Sequence, residues 1–254
     1  MSDTSLLTGR GRALVGLVAG LTSAGLVVTG CGTQSAPSAD RAVRAAANPA
    51  SMTFSDPRTI DNPYLPLTRT KRCVIKGRTE DGEVERSVRT VLKRTKTFTI
   101  AGQQVPTVVI RDDAYEGGEL VETTLDYFAQ ADDGTVYYVG EQVKNLESGQ
   151  VVNTKGTWLF GKDTDRLGVA MPADPKLGTQ WHFEDVPGIT TESNRVEETD
   201  LRTKVYRWGV RTDVIRVQEF IQPEGEVEYK LYARGIGLVA VYEPDVTVFF
   251  HGCR

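Results

Sequence analysis

Glu122 and Asp126, two carboxylates four residues apart, are the first candidates for chemistry in this sequence. Side chains of an extended chain alternate between faces, so an even step puts both on one side. Glycoside hydrolysis needs two carboxyls held about 5 to 9.5 Å apart in a cleft. Alternating charge on a solvated outer face produces the same spacing, and the further acids Asp112, Asp113, Glu226 and Glu228 favour that plainer reading.

Other chemistries have fewer residues to work with. There are two histidines, His182 and His251. A zinc site needs three or four ligands, and only Cys253 stands near His251. A Ser-His-acid triad would have to use one of these histidines, yet no Gly-x-Ser-x-Gly occurs, and Ser148 and Ser193 sit in turn-like polar contexts. Asp163, Asp165, Gly168 and Asp174 fall at positions 1, 3, 6 and 12 of a calcium-loop pattern, but position 5 is Leu167 and Pro172 stiffens the segment. The expectation is no catalytic residue, no metal and no cofactor. Aromatic residues are more suggestive. Trp158, Phe160 and Trp181 flank a loop near the middle of the chain and are the expected mouth of an apolar ligand cavity, should the interior be incompletely filled.

The thiol with the most informative setting is Cys31. It closes Val28-Thr29-Gly30-Cys31, which resembles a lipobox: an aliphatic residue, two small ones that admit a peptidase, and a cysteine placed to receive diacylglycerol. Upstream, Arg10 and Arg12 precede an apolar run from Ala13 to Gly30, as in an export signal. The expectation is a signal peptide over 1–30 and a lipid anchor holding the chain on the extracytoplasmic face of the cell membrane. An uncleaved transmembrane span is the competing reading, weakened by four glycines, Thr22, Ser23 and Thr29 within the run.

Behind these residues stand the elements that must position them. Residues 31–56 are rich in Ala, Ser and Pro and read as a disordered tether, leaving 57–254 as a single β domain. Without residues 1–30 the chain has 28 basic and 33 acidic residues, and their signs interleave, which argues against a nucleic-acid partner. From Lys71 onward, short stretches rich in Val, Thr, Tyr and Ile alternate with Gly-containing turns such as EDGE (80–83), YEGGEL (115–120) and ADDGT (131–135). No helical stripe appears after Ile60. The predicted fold is therefore all-β, an antiparallel meander forming a barrel or a sandwich.

A weak internal repeat runs through it. Ile110-Arg111 aligns with Ile215-Arg216, Phe128-Ala129 with Tyr232-Ala233, and Gly134 and Val136 with Gly237 and Val239. Two pseudo-repeated halves, about 62–157 and 158–254, would each bury an apolar face on the other. With Cys31 lipidated, Cys73 and Cys253 form an even pair in an oxidising compartment and become neighbours where the sheet meets itself, two buried free thiols being the alternative.

DNPYLPL (61–67), YFAQADDGTVYYVGE (127–141), MPADPKLGTQW (171–181) and LYARGIGLV (231–239) resemble a family of uncharacterised exported bacterial β-proteins, in which an Asn-Pro-Tyr start and a Tyr-Ala-x-Gly-x-Gly-Leu-Val hairpin recur. The resemblance spans nearly all of the mature domain and implies no known chemistry, because turn glycines, strand aromatics and prolines carry it. Cys73 stands where such relatives tend to have an aromatic residue. Taken together, the sequence points to a membrane-anchored, non-catalytic binding module for an apolar small molecule or an envelope protein. A carboxylate-dependent hydrolase and a structural envelope component are the alternatives.

Overall fold

The computed structural model describes residues 52–253 except 80, 223–224 and 244–245. The signal segment, Cys31 and the tether up to Ser51 lie outside the described residues, as does the side chain of His251.

Sixteen strands and no helix make up the described chain: β1 (Arg72–Thr79), β2 (Val84–Val91), β3 (Thr97–Ile100), β4 (Gln103–Pro106), β5 (Val108–Glu116), β6 (Glu119–Gln130), β7 (Val136–Glu147), β8 (Gln150–Asn153), β9 (Trp158–Leu159), β10 (Gly168–Met171), β11 (Gln180–Val186), β12 (Thr190–Val205), β13 (Gly209–Gln222), β14 (Glu226–Ala233), β15 (Gly237–Tyr242) and β16 (Val246–Cys253). Twelve of them form one antiparallel path, β10-β7-β6-β5-β2-β1-β16-β15-β14-β13-β12-β11. β8 and β9 pair with β7, and β3 with β4 makes a separate hairpin. All but β7 to β10, β2 to β5 and β1 to β16 of the steps along this path join strands consecutive in sequence, as expected of a meander built from tight turns.

The path curls until its end strands meet. A Cβ on Gly168 of β10 would run into the Phe183 carbonyl of β11, so glycine is what lets the two backbones approach there. No ladder joins β10 to β11 among the described residues. Side chains span the gap instead: Arg166 Nη1 donates to Asp185 Oδ1 at 2.7 Å, and the buried Trp158 Nε1 donates to Glu184 Oε1 at 2.7 Å. At the opposite seam β1 pairs with β16, where Cys73 faces Cys253 in register and the two form a disulfide.

Six strands lie on each side of these two seams. The repeat partners noted in the sequence occupy equivalent places, Ile110 on β5 and Ile215 on β13, Phe128 on β6 and Tyr232 on β14. By strand order the midpoint falls between β10 and β11, which leaves Trp158 and Phe160 with the first six strands.

The DNPYLPL stretch is bonded to each of the other three motif stretches. Asn62 is buried; its Nδ2 donates to the carbonyls of Gly134 and Pro172, and its Oδ1 accepts from the amides of Tyr64 and Leu65. Pro63 O accepts from Gly235 N at 2.6 Å, and Arg69 Nη1 donates to Gly235 O. DNPYLPL is therefore a clasp across the turns 131–135 and 234–236 at one end of the curl. At that same end, bulges between Val196 and Thr203 bend the long β12–β13 hairpin. Its flank buries Val205 and Val214 with Leu231, Ala240 and Phe250 in a second, smaller core.

Candidate functional site

The interior of the curl collects every second residue of each strand. On β13, Ile215, Val217, Glu219 and Ile221 all have this parity, and all are buried. An acid therefore stands where the pattern would place an aliphatic residue, and it is not alone. Three cross-strand pairs set acid opposite acid: Asp126 with Glu141, Glu184 with Glu192, and Glu219 with Glu228. Directly opposed like charges repel, so a sheet that keeps three such pairs inside must protonate them or supply a cation.

These six carboxyls line a cavity of about 70 Å³ together with Arg89 and Lys230, the rings of Phe128, Tyr138, Phe183 and Tyr232, and Leu65 and Leu67 from the clasp. One water needs roughly 10–15 Å³ on this scale, so the space suits several waters or a ligand of a few heavy atoms. A second cavity of about 60 Å³ adjoins it and shares Leu65, Leu67, Arg89, Ile110 and Leu238. Its remaining lining is largely apolar, including Ile75, Val91 and Phe250 beside the disulfide.

On one side of the main cavity a cation balances one of the acids. Lys230 ion-pairs with Glu219 and stands 3.7 Å from Glu228. Burial pushes the Glu219 carboxyl up, but the charge of Lys230 together with hydrogen bonds from Glu192, Lys230 and Asn194 holds the group below its ordinary range. Glu228 is pushed up to about 7 by burial, with Lys230 opposing. Glu192 is raised well above the usual carboxylate range by burial and then by the charge of Glu219, and its Oε1 accepts no hydrogen bond among the described residues.

The other side has less compensation. Tyr138 Oη lies 3.0 Å from Asp126 Oδ1 and 3.1 Å from Glu141 Oε2. One phenol has a single proton to donate, so the second contact needs a proton from a carboxyl. Burial, then the neighbouring Glu184 and Asp126, hold Glu141 well above its ordinary range. Asp126 is pushed up to about 7 by burial and the charge of Asp112, against the Tyr138 hydrogen bond and Arg89. Glu184 also rises to about 7 through burial, although Trp158 and Thr190 donate to it. Arg89 is held by Asp112 at 2.8 Å, and Ser87 donates to the same carboxylate at 2.6 Å.

Several expectations from the sequence change here. Glu122 and Asp126 do share a face, but it is the inner one: they are 4% and 8% exposed, and burial followed by the charges of Asp112 and Asp126 pushes Glu122 up to about 9. An outer solvated face does not describe them, because the sheet curls over their side. Trp158, Phe160 and Trp181 line neither cavity. Trp158 and Trp181 are fully packed and Phe160 rests against the main core, while the main cavity is lined by the clasp residues Leu65 and Leu67 with Phe128, Tyr138, Phe183 and Tyr232.

The remaining candidates are dispersed. His182 Nδ1 meets Ser193 Oγ at 3.1 Å across β11 and β12, and no described carboxylate ion-pairs with that histidine. Asp163 binds Lys162 and the Leu159 amide, Asp174 pairs with Lys176, and Gly168 belongs to β10, so the calcium-loop positions do not converge. No group of three or more His, Cys, Asp or Glu is arranged to hold a metal among the described residues.

No family model, curated protein or solved structure matches the chain. The reading of the site therefore rests on its geometry.

Proposed function

We propose that this chain is an exported binding module, anchored to the membrane through Cys31, that takes a small organic cation into the curled sheet and performs no catalysis. One observation carries the reading: three acid–acid cross-strand pairs face a cavity that offers only Arg89 and Lys230 as cations. A bound ammonium would relieve that repulsion, and the faces of Phe128, Tyr138 and Tyr232 suit a cation as well. The adjoining apolar cavity suits a short hydrocarbon tail, so the apolar ligand expected from the sequence becomes an amine with an apolar end. Export and lipidation are supported by the Val28-Thr29-Gly30-Cys31 stretch. Kinship with the exported β-proteins is supported by the four motifs, two of which clasp one another.

A non-catalytic role is favoured because Asp126 and Glu141 both lie within 3.1 Å of the one Tyr138 hydroxyl. Carboxyls bridged by one hydroxyl leave no room for the sugar that a glycosidase pair must straddle. Binding of an ammonium to acids that are partly protonated at neutral pH releases protons, so affinity rises with pH through about 7. Calorimetry with butylammonium, butanol and butyrate, run in buffers of different ionisation enthalpy, tests this. Tight binding of butylammonium alone with proton release is expected. Butanol binding as well as butylammonium would remove the charge from the reading. Turnover of a model glycoside or ester, lost in Glu122→Gln or Asp126→Asn, would move the protein to the hydrolases.

A further inference from the structure

The bent β12–β13 hairpin has two sides with opposite characters. One is packed into the smaller core through Val205 and Val214. The other presents Tyr206, Trp208 and Val210, which are 55%, 48% and 52% exposed in consecutive outward places around the turn. Single exposed apolar side chains are ordinary, but a Tyr, a Trp and a Val grouped at a hairpin tip that is held from behind by a core need an occupant. The charge around them is also out of character with the chain. Residues 199–213 hold four basic and two acidic side chains, whereas the whole protein has a net charge of −4. Arg211 pairs with Asp213, while Arg202, Lys204 and Arg207 are exposed. Arg207 lies beside Gly252, so the tip reaches the end of β16 next to the disulfide, where Lys71 is exposed too.

This end of the curl is also where the chain leaves toward its N-terminus. Asp132 N donates to Thr53 O, Gln103 Nε2 donates to Met52 O, and Arg234 N donates to Asp213 O at the base of the hairpin tip. The turns 131–135 and 234–236, the first described residue and the aromatic tip thus share one rim. The 21 residues from Cys31 to Ser51 can reach at most about 70 Å. A lipid on Cys31 would be joined to the domain at this rim rather than the opposite one.

We infer that the Tyr206–Val210 tip, with Arg202, Lys204 and Arg207, is a membrane-surface foot that rests on anionic lipid headgroups. Trp and Tyr favour the headgroup level, where an apolar ring and a polar edge are both satisfied. Lys and Arg supply attraction to anionic lipid that salt screens. The foot is independent of the interior cavity and uses the Cys31 anchor only for proximity.

Trp208 reports on it directly, because Trp158 and Trp181 are 0% and 2% exposed. Full-length protein from an exporting host is mixed with phosphatidylcholine vesicles with or without phosphatidylglycerol, some carrying brominated acyl chains. The expected result is a blue shift and bromine quenching of tryptophan emission on the anionic vesicles only, abolished at high salt and absent in Trp208→Phe. Reversing Arg202, Lys204 and Arg207 to Glu, at exposed positions where the melting temperature should hold, lowers partitioning of the tip by about a hundredfold. Quenching that is equal on zwitterionic vesicles, that survives in Trp208→Phe, or that never appears would overturn the inference. The mass of the N-terminal peptide reports separately on lipidation, so a missing anchor and a missing foot are distinguishable.

Discussion

Asp126 on β6 and Lys230 on β14 occupy corresponding places in the two half-sheets, each two residues before the aromatic partner in the repeat, Phe128 or Tyr232. Both face the interior cavity and both are buried. Around Lys230 one acid is balanced: Glu219 is held below its ordinary range in spite of burial, the ammonium being the largest influence against it, while Glu192 and Glu228 are still pushed up. Around Asp126 there is Tyr138, Glu141 and a more distant Arg89, and the carboxyls hold protons instead. One substitution of charge type at an equivalent position thus divides the cavity into a satisfied side and a hungry one. A buried acid with a cation is a structural ion pair, whereas a buried acid without one is a proton store and a place for a cation to bind.

Removing the balance on the satisfied side should have the largest effect. Lys230→Met leaves Glu219 buried without its partner, and breaking such a pair costs about 3–5 kcal/mol. Urea denaturation at pH 7 would show it, and a loss below 1 kcal/mol would mean that Glu219 is better solvated than its burial indicates. Opening the seam between β1 and β16 with Cys73→Ser and Cys253→Ser together should cost about 2–4 kcal/mol, read as a lower denaturation midpoint in non-reducing buffer.

On the hungry side the sign reverses. Carboxyls whose folded values are raised keep protons that the unfolded chain has already released above about pH 4.5, so folding is progressively penalised as pH rises. Without ligand, stability should be greatest in mild acid and fall through the interval in which Asp126 and Glu184 titrate, up to about 7, continuing toward about 9 for Glu122. Asp126→Asn, which removes one such charge and keeps the shape, should stabilise the protein by about 1–3 kcal/mol at pH 8 and by nearly nothing at pH 4. A thermal melt series across pH checks both, and a wild-type curve that is flat from 5 to 8 would abolish the distinction between the two sides. Trp158→Phe is expected to be the mildest change. It removes the indole donor to Glu184, costs about 1–2 kcal/mol and raises that carboxyl further, visible as an upward shift of its titration by carbon-13 NMR.

Much of the fold was legible before any coordinates. Alternation in VERSVRTV and glycines in the turns identify antiparallel strands, and Cys73 and Cys253 sit on the first and last of them. The candidate site was legible only in part. Val217-Glu219-Ile221 and Asp126-Phe128 place acids at the same parity as core residues, a signal that the apolar run around Glu141 repeats. Such acids are usually read as solvated because burying an ionised carboxyl is costly, and the hairpin register that sets a second acid opposite shifts at bulges, as between Tyr127 and Phe128 and between His182 and Glu184. Trp158 and Trp181 are packed into the core, where large rings are found more often than at an opening.

By itself the sequence determined the period of two and the turn positions, because each is a property of neighbours along the chain. Which face of each strand became the inside, that three acid pairs from separate hairpins line one cavity, and that Lys230 answers only Glu219 among them were decided by the curl of the sheet. Each acid pair spans a single hairpin, but groups that set its protonation, such as Asp112 and Arg89 for Asp126 or Glu184 for Glu141, come from other strands that closure brings within reach.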